Sequence, residues 1–394
     1  MEGGGYLEKG YIAPEAALKK LRAAKGLGQT VYIYGATGYG KTALVKQYLS
    51  KRRYHYISCA EDAAELVNAA EEVEEKGKEN LLSDKGAKAQ TAVVVDDLHL
   101  LRNAQGRRAV LSLVECRGIW LVLICRSPIP AWLMPPYVNS GFLVITEEDL
   151  RLKEKEIQDY MESQGIAITE EELAFVVERS QGNAYTVRHT ALRMLEGQRP
   201  GPELAQEIVE AFAGYLENHV MMQWDSDLLE FLMQVSVTDE FTLPLAEMIT
   251  GNCRALELLE RAAETGNFLS CRDGIYRLRP ELLRALRRRA AREYDPAQRA
   301  DHAYNAGLFY EMQGQIVPAL DMFERCGKKE RIRGLLIRNA RLNPGNGHYF
   351  ELRRYYLQME EKELEDSPVL MAGMSMLYSL LMQEKESEYW YGKL

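Results

Sequence analysis

Gly35-Ala36-Thr37-Gly38-Tyr39-Gly40-Lys41-Thr42 satisfies G-x-x-x-x-G-K-[ST], a spacing suited to cradling a chain of phosphates. The glycines let the backbone curl so that successive N–H groups face one anion. Lys41 supplies a point charge to β- and γ-phosphates, and the Thr42 hydroxyl is placed to ligate Mg²⁺. Gly35 through Ala43 are therefore the expected contacts to the nucleotide. An accidental Gly-rich turn is the alternative, and the flanking elements argue against it.

Two further stretches carry charge at the right kind of place. Ala92-Val93-Val94-Val95-Asp96-Asp97 reads as a buried strand ending in two carboxylates. Asp96 is expected to hold Mg²⁺ through water, and Asp97 to orient or deprotonate an attacking water. Downstream, Ile119-Trp120-Leu121-Val122-Leu123-Ile124 leads into Cys125-Arg126. An arginine at such a strand tip can tell a triphosphate from a diphosphate by charge-assisted hydrogen bonds. Asp97, Lys41 and Arg126 form the expected catalytic set; a strand ending in a polar turn and a surface arginine are the plain alternatives.

These groups need a scaffold that brings strand ends together. Thr30–Tyr34 (TVYIY) reads as a buried strand feeding the loop, and KTALVKQYLSK as the helix leaving it. Pro14–Lys25 is a short lead-in helix, Tyr54–Cys59 a second strand, and 61–90 an exposed helix with a polar loop. A helix over 104–117 and a fifth strand at Phe142–Ile145 complete an alternation that implies a parallel sheet covered on both faces.

From Leu152 the strand pattern gives way to helices punctuated by Gly165, Gly182 and Gly197, with Thr169 and Glu172 spaced as a capping box. Two more helices fit 203–236. Residues 242–289 then read as helix, helix, hairpin, helix, with strands Asn267–Ser270 and Ile275–Leu278 around the turn Arg272-Asp273-Gly274. That order is a winged-helix layout. Gly307, Tyr310, Gly314, Ala319 and Phe323 fall at tetratricopeptide spacing, and a second helical pair fits 349–390. The expected divisions are 1–150, 151–215, 216–294 and 295–394. The last helix has no polar cap, so the chain looks cut.

Composition narrows the class. The chain has 394 residues, too many for one ordinary core, with 46% hydrophobic and 27% charged residues. A net charge of −9 argues against a surface that coats nucleic acid. The six cysteines form no C-x-x-C pair, which disfavours a zinc site or a disulfide framework. No signal peptide is recognisable, and no apolar run approaches the ~20 residues needed to span a bilayer. A cytoplasmic location follows by default.

In this order, YGATGYGKTALVKQYL, VVVDDLHLL, LVLICRSPIP, LLEFLMQVSVTDEFTLPLAEMITG, YRLRPELLRALRRR and AGLFYEMQGQIVPALDMFE resemble the N-terminal part of the MalT-like, LuxR-type ATP-dependent transcriptional regulators. These lie within the STAND class of signal-transduction ATPases. The resemblance covers nearly the whole chain and rests on the order of its segments. It implies an ATPase domain, a helical domain, a winged helix and an arm leading into a helical sensor for an inducer. It also implies an ADP-bound closed state and ATP-driven self-association with slow hydrolysis. Family members carry a distal helix-turn-helix domain; none is recognisable here, so DNA binding is not expected of this chain itself.

Three positions depart from the family pattern. Ala13-Pro14-Glu15 keeps only the acid of the lead-in motif, which puts base contacts there in doubt. Gly182-Asn183-Ala184 replaces the usual Gly-Trp or Gly-x-Pro. Arg279, in Tyr276-Arg277-Leu278-Arg279, stands where the family has a histidine facing the diphosphate. An arginine there can grip phosphate, or simply face solvent. Two rivals remain: a DNA-binding module using Arg284, Arg287, Arg288, Arg289 and Arg292, and a metabolic P-loop kinase, for which the helical half offers no lid.

Overall fold

The computed structural model describes residues 11, 14–60, 67–68, 71–72, 91–116, 118–266, 268–343 and 348–394. The helix and loop expected over 61–90 lie almost entirely outside these residues, as does Ala13. The contacts divide the chain into two compact units. One holds the described residues up to Trp224 together with Glu257–Ser270 and Arg279–Leu282. The other holds Asp225–Leu256, Cys271–Leu278 and Leu283–Leu394.

The first unit is built on five parallel strands: β1 (Val31–Tyr34), β2 (Tyr54–Ser58), β3 (Thr91–Asp96), β4 (Ile119–Cys125) and β5 (Leu143–Ile145), in the order β2-β3-β4-β1-β5. All seven residues of β4 are buried, as a strand covered on both faces requires. Successive side chains serve opposite layers. Val31, Ile33, Val94, Trp120 and Val122 pack with Leu21 of the Glu15–Leu27 helix and Leu44 of the Lys41–Leu49 helix. Tyr32, Val93, Val95 and Leu121 pack with Val110 and Leu113 of the Ala104–Glu115 helix.

The strand order places the chemistry. β4 lies between β1 and β3, paired in parallel with both. The tip that carries Arg126 therefore sits between the phosphate loop, which follows β1, and Asp96, which ends β3. Four helices follow in the same unit: Glu154–Ser163, Glu170–Ser180, Ala184–Leu195 and Pro202–His219. The capping box of the second is formed in both directions, Thr169 N donating to Glu172 Oε2 at 3.0 Å and Glu172 N to Thr169 Oγ1 at 3.2 Å. Ile157, Met161, Val176 and Val187 make the core of this helical part.

Three short strands, β6 (Glu240–Thr242), β7 (Leu269–Arg272) and β8 (Ile275–Leu278), form a second sheet in the order β6-β8-β7. The hairpin differs from the sequence reading by a shift of β7 toward the turn. Its turn is only Asp273-Gly274, at φ 53° and 77°, the left-handed pair that a tight hairpin with twisted strands needs. β6 was not foreseen, because three residues give no alternation to read. The other elements described in the second unit are helices. The single pair expected over 349–390 is instead four helices, Arg353–Leu357, Glu361–Glu365, Pro368–Leu380 and Glu384–Gly392. Capping at Glu360 and at Ser367, just before Pro368, breaks the run. No helix among the described residues is long and apolar enough to cross a membrane.

Candidate functional site

The phosphate loop is shaped by two left-handed residues, Gly38 at φ 91° and Gly40 at φ 73°, the second capping the Lys41–Leu49 helix. A side chain at Gly38 would collide with Asn183, and one at Gly40 with the Tyr11 hydroxyl, both below 3.0 Å. Lys41 Nζ donates to the loop's own carbonyls, Gly35 O at 2.8 Å and Ala36 O at 2.9 Å. Burial, and then the neighbouring Arg126 charge, pulls its pKa down to about 8.

Thr42 Oγ1 donates to Asp96 Oδ2 at 2.6 Å, joining the start of the helix to the end of β3. Asp96 is only 4% exposed, and its Oδ1 accepts the Asp97 backbone N–H at 2.7 Å. Asp97 itself adopts φ 55°, a left-handed turn that aspartate tolerates better than most residues. Burial and the Asp96 charge raise its pKa, against the opposing pull of Arg126 and Lys41. A carboxyl so shifted is a better proton acceptor near neutral pH.

Arg126 Nη2 lies 3.9 Å from Asp97 Oδ1. Its Nη1 is buried with no hydrogen-bond partner among the described residues, an uncompensated donor that an anion would satisfy. Tyr32 fixes the segment beyond it, its hydroxyl donating toward Ser127 O at 3.1 Å and Pro128 O at 3.2 Å. Thr37, Gly38, Gly40, Lys41, Thr42 and Ala43 line one cavity of about 650 Å³. Asp96, Asp97 and Arg126 line the same cavity.

Gly35, Ala36, Tyr39 and Arg279 are not on that wall; they meet behind the loop around Glu147. Ala36 N donates to Glu147 Oε2 at 2.8 Å. Arg279 Nη2 lies 2.9 Å from both carboxylate oxygens of Glu147. Tyr39 is 6% exposed and packs into the same core layer. The structure thus places Arg279 on a carboxylate that holds the loop backbone, rather than on the wall of the cavity.

Several residues of the site were missed by sequence reasoning. Tyr11 OH donates to Gly40 O at 3.3 Å. Tyr185 N donates to Gly38 O at 2.9 Å and Asn183 Nδ2 to Thr37 O at 3.5 Å. The departure Gly182-Asn183-Ala184 therefore begins a helix that rests on the phosphate loop. Tyr56 OH donates to Asp96 Oδ2 at 2.9 Å. Alternation in YHYISC could have put Tyr56 and Ser58 on one face, but only the strand register brings that face to Asp96.

Two arginines of the basic stretch, Arg287 and Arg289, are engaged within the second unit. Arg287 Nη2 meets Asp239 Oδ1 at 2.8 Å, and its Nε donates to Ser236 O at 2.6 Å. Arg289 meets Glu293 at 2.6 Å. These pairs compete with any phosphate backbone for the same charges.

Residues 216–298 match the family described as the MalT winged helix domain. No curated protein matches the chain. Among solved structures, a Walker-type ATPase of Pyrococcus abyssi shares 13% identity at a TM-score of 0.51, covering 70% of this chain and 96% of its own. A STAND protein with a tetratricopeptide repeat sensor from Pyrococcus horikoshii aligns at 15% identity and a TM-score of 0.38. That alignment covers 98% of this chain but 58% of the other, so the chain spans little more than half of that protein. The RuvB Holliday junction branch migration motor of Thermotoga maritima aligns at 15% identity and a TM-score of 0.39, over 69% of this chain and 93% of that one. Residues 216–298 thus match the MalT winged helix domain, and the preceding part of the chain has the fold of a Walker-type ATPase.

Proposed function

We propose that the chain is a nucleotide-operated switch: it binds ATP and ADP with Mg²⁺, rests with ADP and associates with itself when ATP-bound. Hydrolysis is slow and resets the switch. The observation that carries this reading is the convergence of Lys41, the Thr42–Asp96 contact at 2.6 Å, Asp97 and Arg126 on one cavity. Two hard oxygens in contact, on a helix start and a strand end, fit a small divalent cation that keeps several waters. Thr42 and Asp96 would hold it. When bound, the ion neutralises charge on the β- and γ-phosphate oxygens.

The residues then divide the work. The backbone from Thr37 to Ala43 orients the phosphates, and Lys41 exchanges its two carbonyl partners for phosphate oxygens. Asp97 accepts a proton from the attacking water. Arg126, one nitrogen unpartnered, takes the terminal phosphate. An inducer acting through the helical residues beyond 295 would set which nucleotide state prevails, and the MalT winged helix match is what supports a transcriptional role.

Calorimetry with the Lys41→Ala chain tests the reading. Affinity for ATP and ADP should fall at least ten-fold, since a charged hydrogen bond contributes about 1.5–3 kcal/mol. Unchanged affinity removes the phosphate-loop assignment. Asp96→Asn should weaken the Mg²⁺-dependent part of binding, whereas Asp97→Asn should spare binding and lower turnover; equal binding losses would mean that the two roles are divided wrongly.

A further inference from the structure

β2 and β3 run parallel with Tyr56 opposite Val94 and Ser58 opposite Asp96. Side chains two apart share a face, so Tyr56 reaches forward along β3's neighbour to the acid at its end. Its hydroxyl donates to Asp96 Oδ2 at 2.9 Å, the same oxygen that Thr42 Oγ1 contacts at 2.6 Å. The Asp97 N–H takes Oδ1 at 2.7 Å. An ionised carboxylate offers about four acceptor directions. Among the described residues, two hydroxyls fill those of Oδ2, one amide fills half of Oδ1, and one direction on Oδ1 is left.

The tyrosine ring is itself held from the helix side. Thr42 and Lys46 lie one turn apart on one face of the Lys41–Leu49 helix. Lys46 Nζ sits 4.5 Å from the centroid of the Tyr56 ring, within cation–π range. Thr42, Asp96, Tyr56 and Lys46 thus close a ring of contacts between one helix face and two neighbouring strands. Tyr56 is 39% exposed and lines the cavity that also holds Lys41 and Arg126.

The geometry points to Tyr56 as the positioning residue of the Mg²⁺ site, fixing the rotation of the Asp96 carboxylate so that its remaining acceptor faces the cation's water. This rests on the Mg²⁺–nucleotide reading above. Thr42, with its proton committed to Asp96, keeps its lone pairs for the ion. Without the phenol hydroxyl, water occupies the vacated direction on Oδ2 and the carboxylate can turn about its broad terminal torsion. In this role Tyr56 acts through the Asp96 carboxylate that its hydroxyl contacts.

Tyr56→Phe keeps the ring and its contact with Lys46 while deleting the hydroxyl. The full chain would be titrated with a fluorescent ATP analogue in EDTA, then with Mg²⁺ at fixed nucleotide, alongside thermal unfolding without ligand. The expected result is Mg²⁺-free affinity within about two-fold of the parent and a Mg²⁺ half-saturation point raised roughly ten-fold, as for lost outer-shell partners of metal ligands. An unmoved Mg²⁺ half-saturation point overturns the inference, whatever the unfolding temperature does. So does an equal loss with and without Mg²⁺. If the parent chain binds no nucleotide at all, the reading of the whole site falls and takes this inference with it; binding by the parent with an unmoved variant sinks Tyr56 alone.

Discussion

Lys41 shows how one buried charge makes the loop sensitive to pH. Its folded pKa, about 8, lies below the ordinary 10.5 because burial and Arg126 both disfavour the ammonium. Between those two values the unfolded chain holds more protons than the folded one. Folding stability contributed by Lys41 therefore rises with pH across that window. Ligand binding has the opposite sign. A bound phosphate favours the ammonium and raises the pKa again, so the complex takes up a proton when formed above pH 8. ADP affinity measured in EDTA, where no metal enters the balance, should be level below pH 8 and fall above it by at most about ten-fold per unit. Calorimetry in two buffers of different ionisation enthalpy should register the uptake near pH 8.5. An affinity that stays level to pH 9, or a Lys41→Ala chain showing the same decline, would show that this lysine is not the titrating group.

At the scale of elements, a clear test lies where two helices pack tightly. A Cβ added at Gly307, in the Pro296–Met312 helix, would sit 2.7 Å from Phe323 Cε1 and 3.2 Å from Met322 Cβ. Phe323 is fully buried in the Ile316–Arg325 helix and cannot step aside. Gly307→Ala should therefore destabilise by about 1–3 kcal/mol, overpacking outweighing the gain in helix propensity. Gly334, in the Lys329–Leu342 helix, meets nothing within 4 Å. Gly334→Ala should stabilise by about 0.5–1 kcal/mol. Thermal unfolding of the pair should shift in opposite directions; matching shifts would mean that the helices do not pack at 307. The Gly307 contact was legible because a spaced set, Gly307, Tyr310, Gly314, Ala319 and Phe323, carries its own geometry. So were the phosphate loop and the Thr169–Glu172 capping box, where the signal lies within a few consecutive residues. Glu147 and Tyr56 were not legible, since their partners, Ala36, Arg279 and Asp96, are supplied by strand order and register. The three-residue β6 and the caps that divide 349–390 failed for a third reason: they are too short to build a period.

At the scale of the whole molecule, the chain leaves the first unit after Trp224 and returns to it twice, at Glu257–Ser270 and Arg279–Leu282. Residues on both sides of the second return belong to the other unit. Arg279 therefore opens the second return of the stretch matching the MalT winged helix to the ATPase-fold unit. It meets the phosphate loop through one intermediary, the Glu147 carboxylate, which accepts from Ala36 N at 2.8 Å and lies 2.9 Å from Arg279 Nη2. Side-chain exposures of 13% for Glu147 and 30% for Arg279 leave the pair partly desolvated, so it is worth more than a surface ion pair. A series arrangement makes a specific forecast for nucleotide release. Arg279→Ala frees Glu147 to shift, and Glu147→Gln removes the charge that both partners use, so each should loosen the loop by about 1 kcal/mol and speed ADP release roughly five-fold. Because both act on one link, the double variant should release ADP no faster than either single one. Stopped-flow displacement of a fluorescent ADP provides the measurement. Multiplying effects in the double variant would place Arg279 in direct contact with the diphosphate, and a wild-type rate in both single variants would leave the pair as structural support with no hold on the nucleotide.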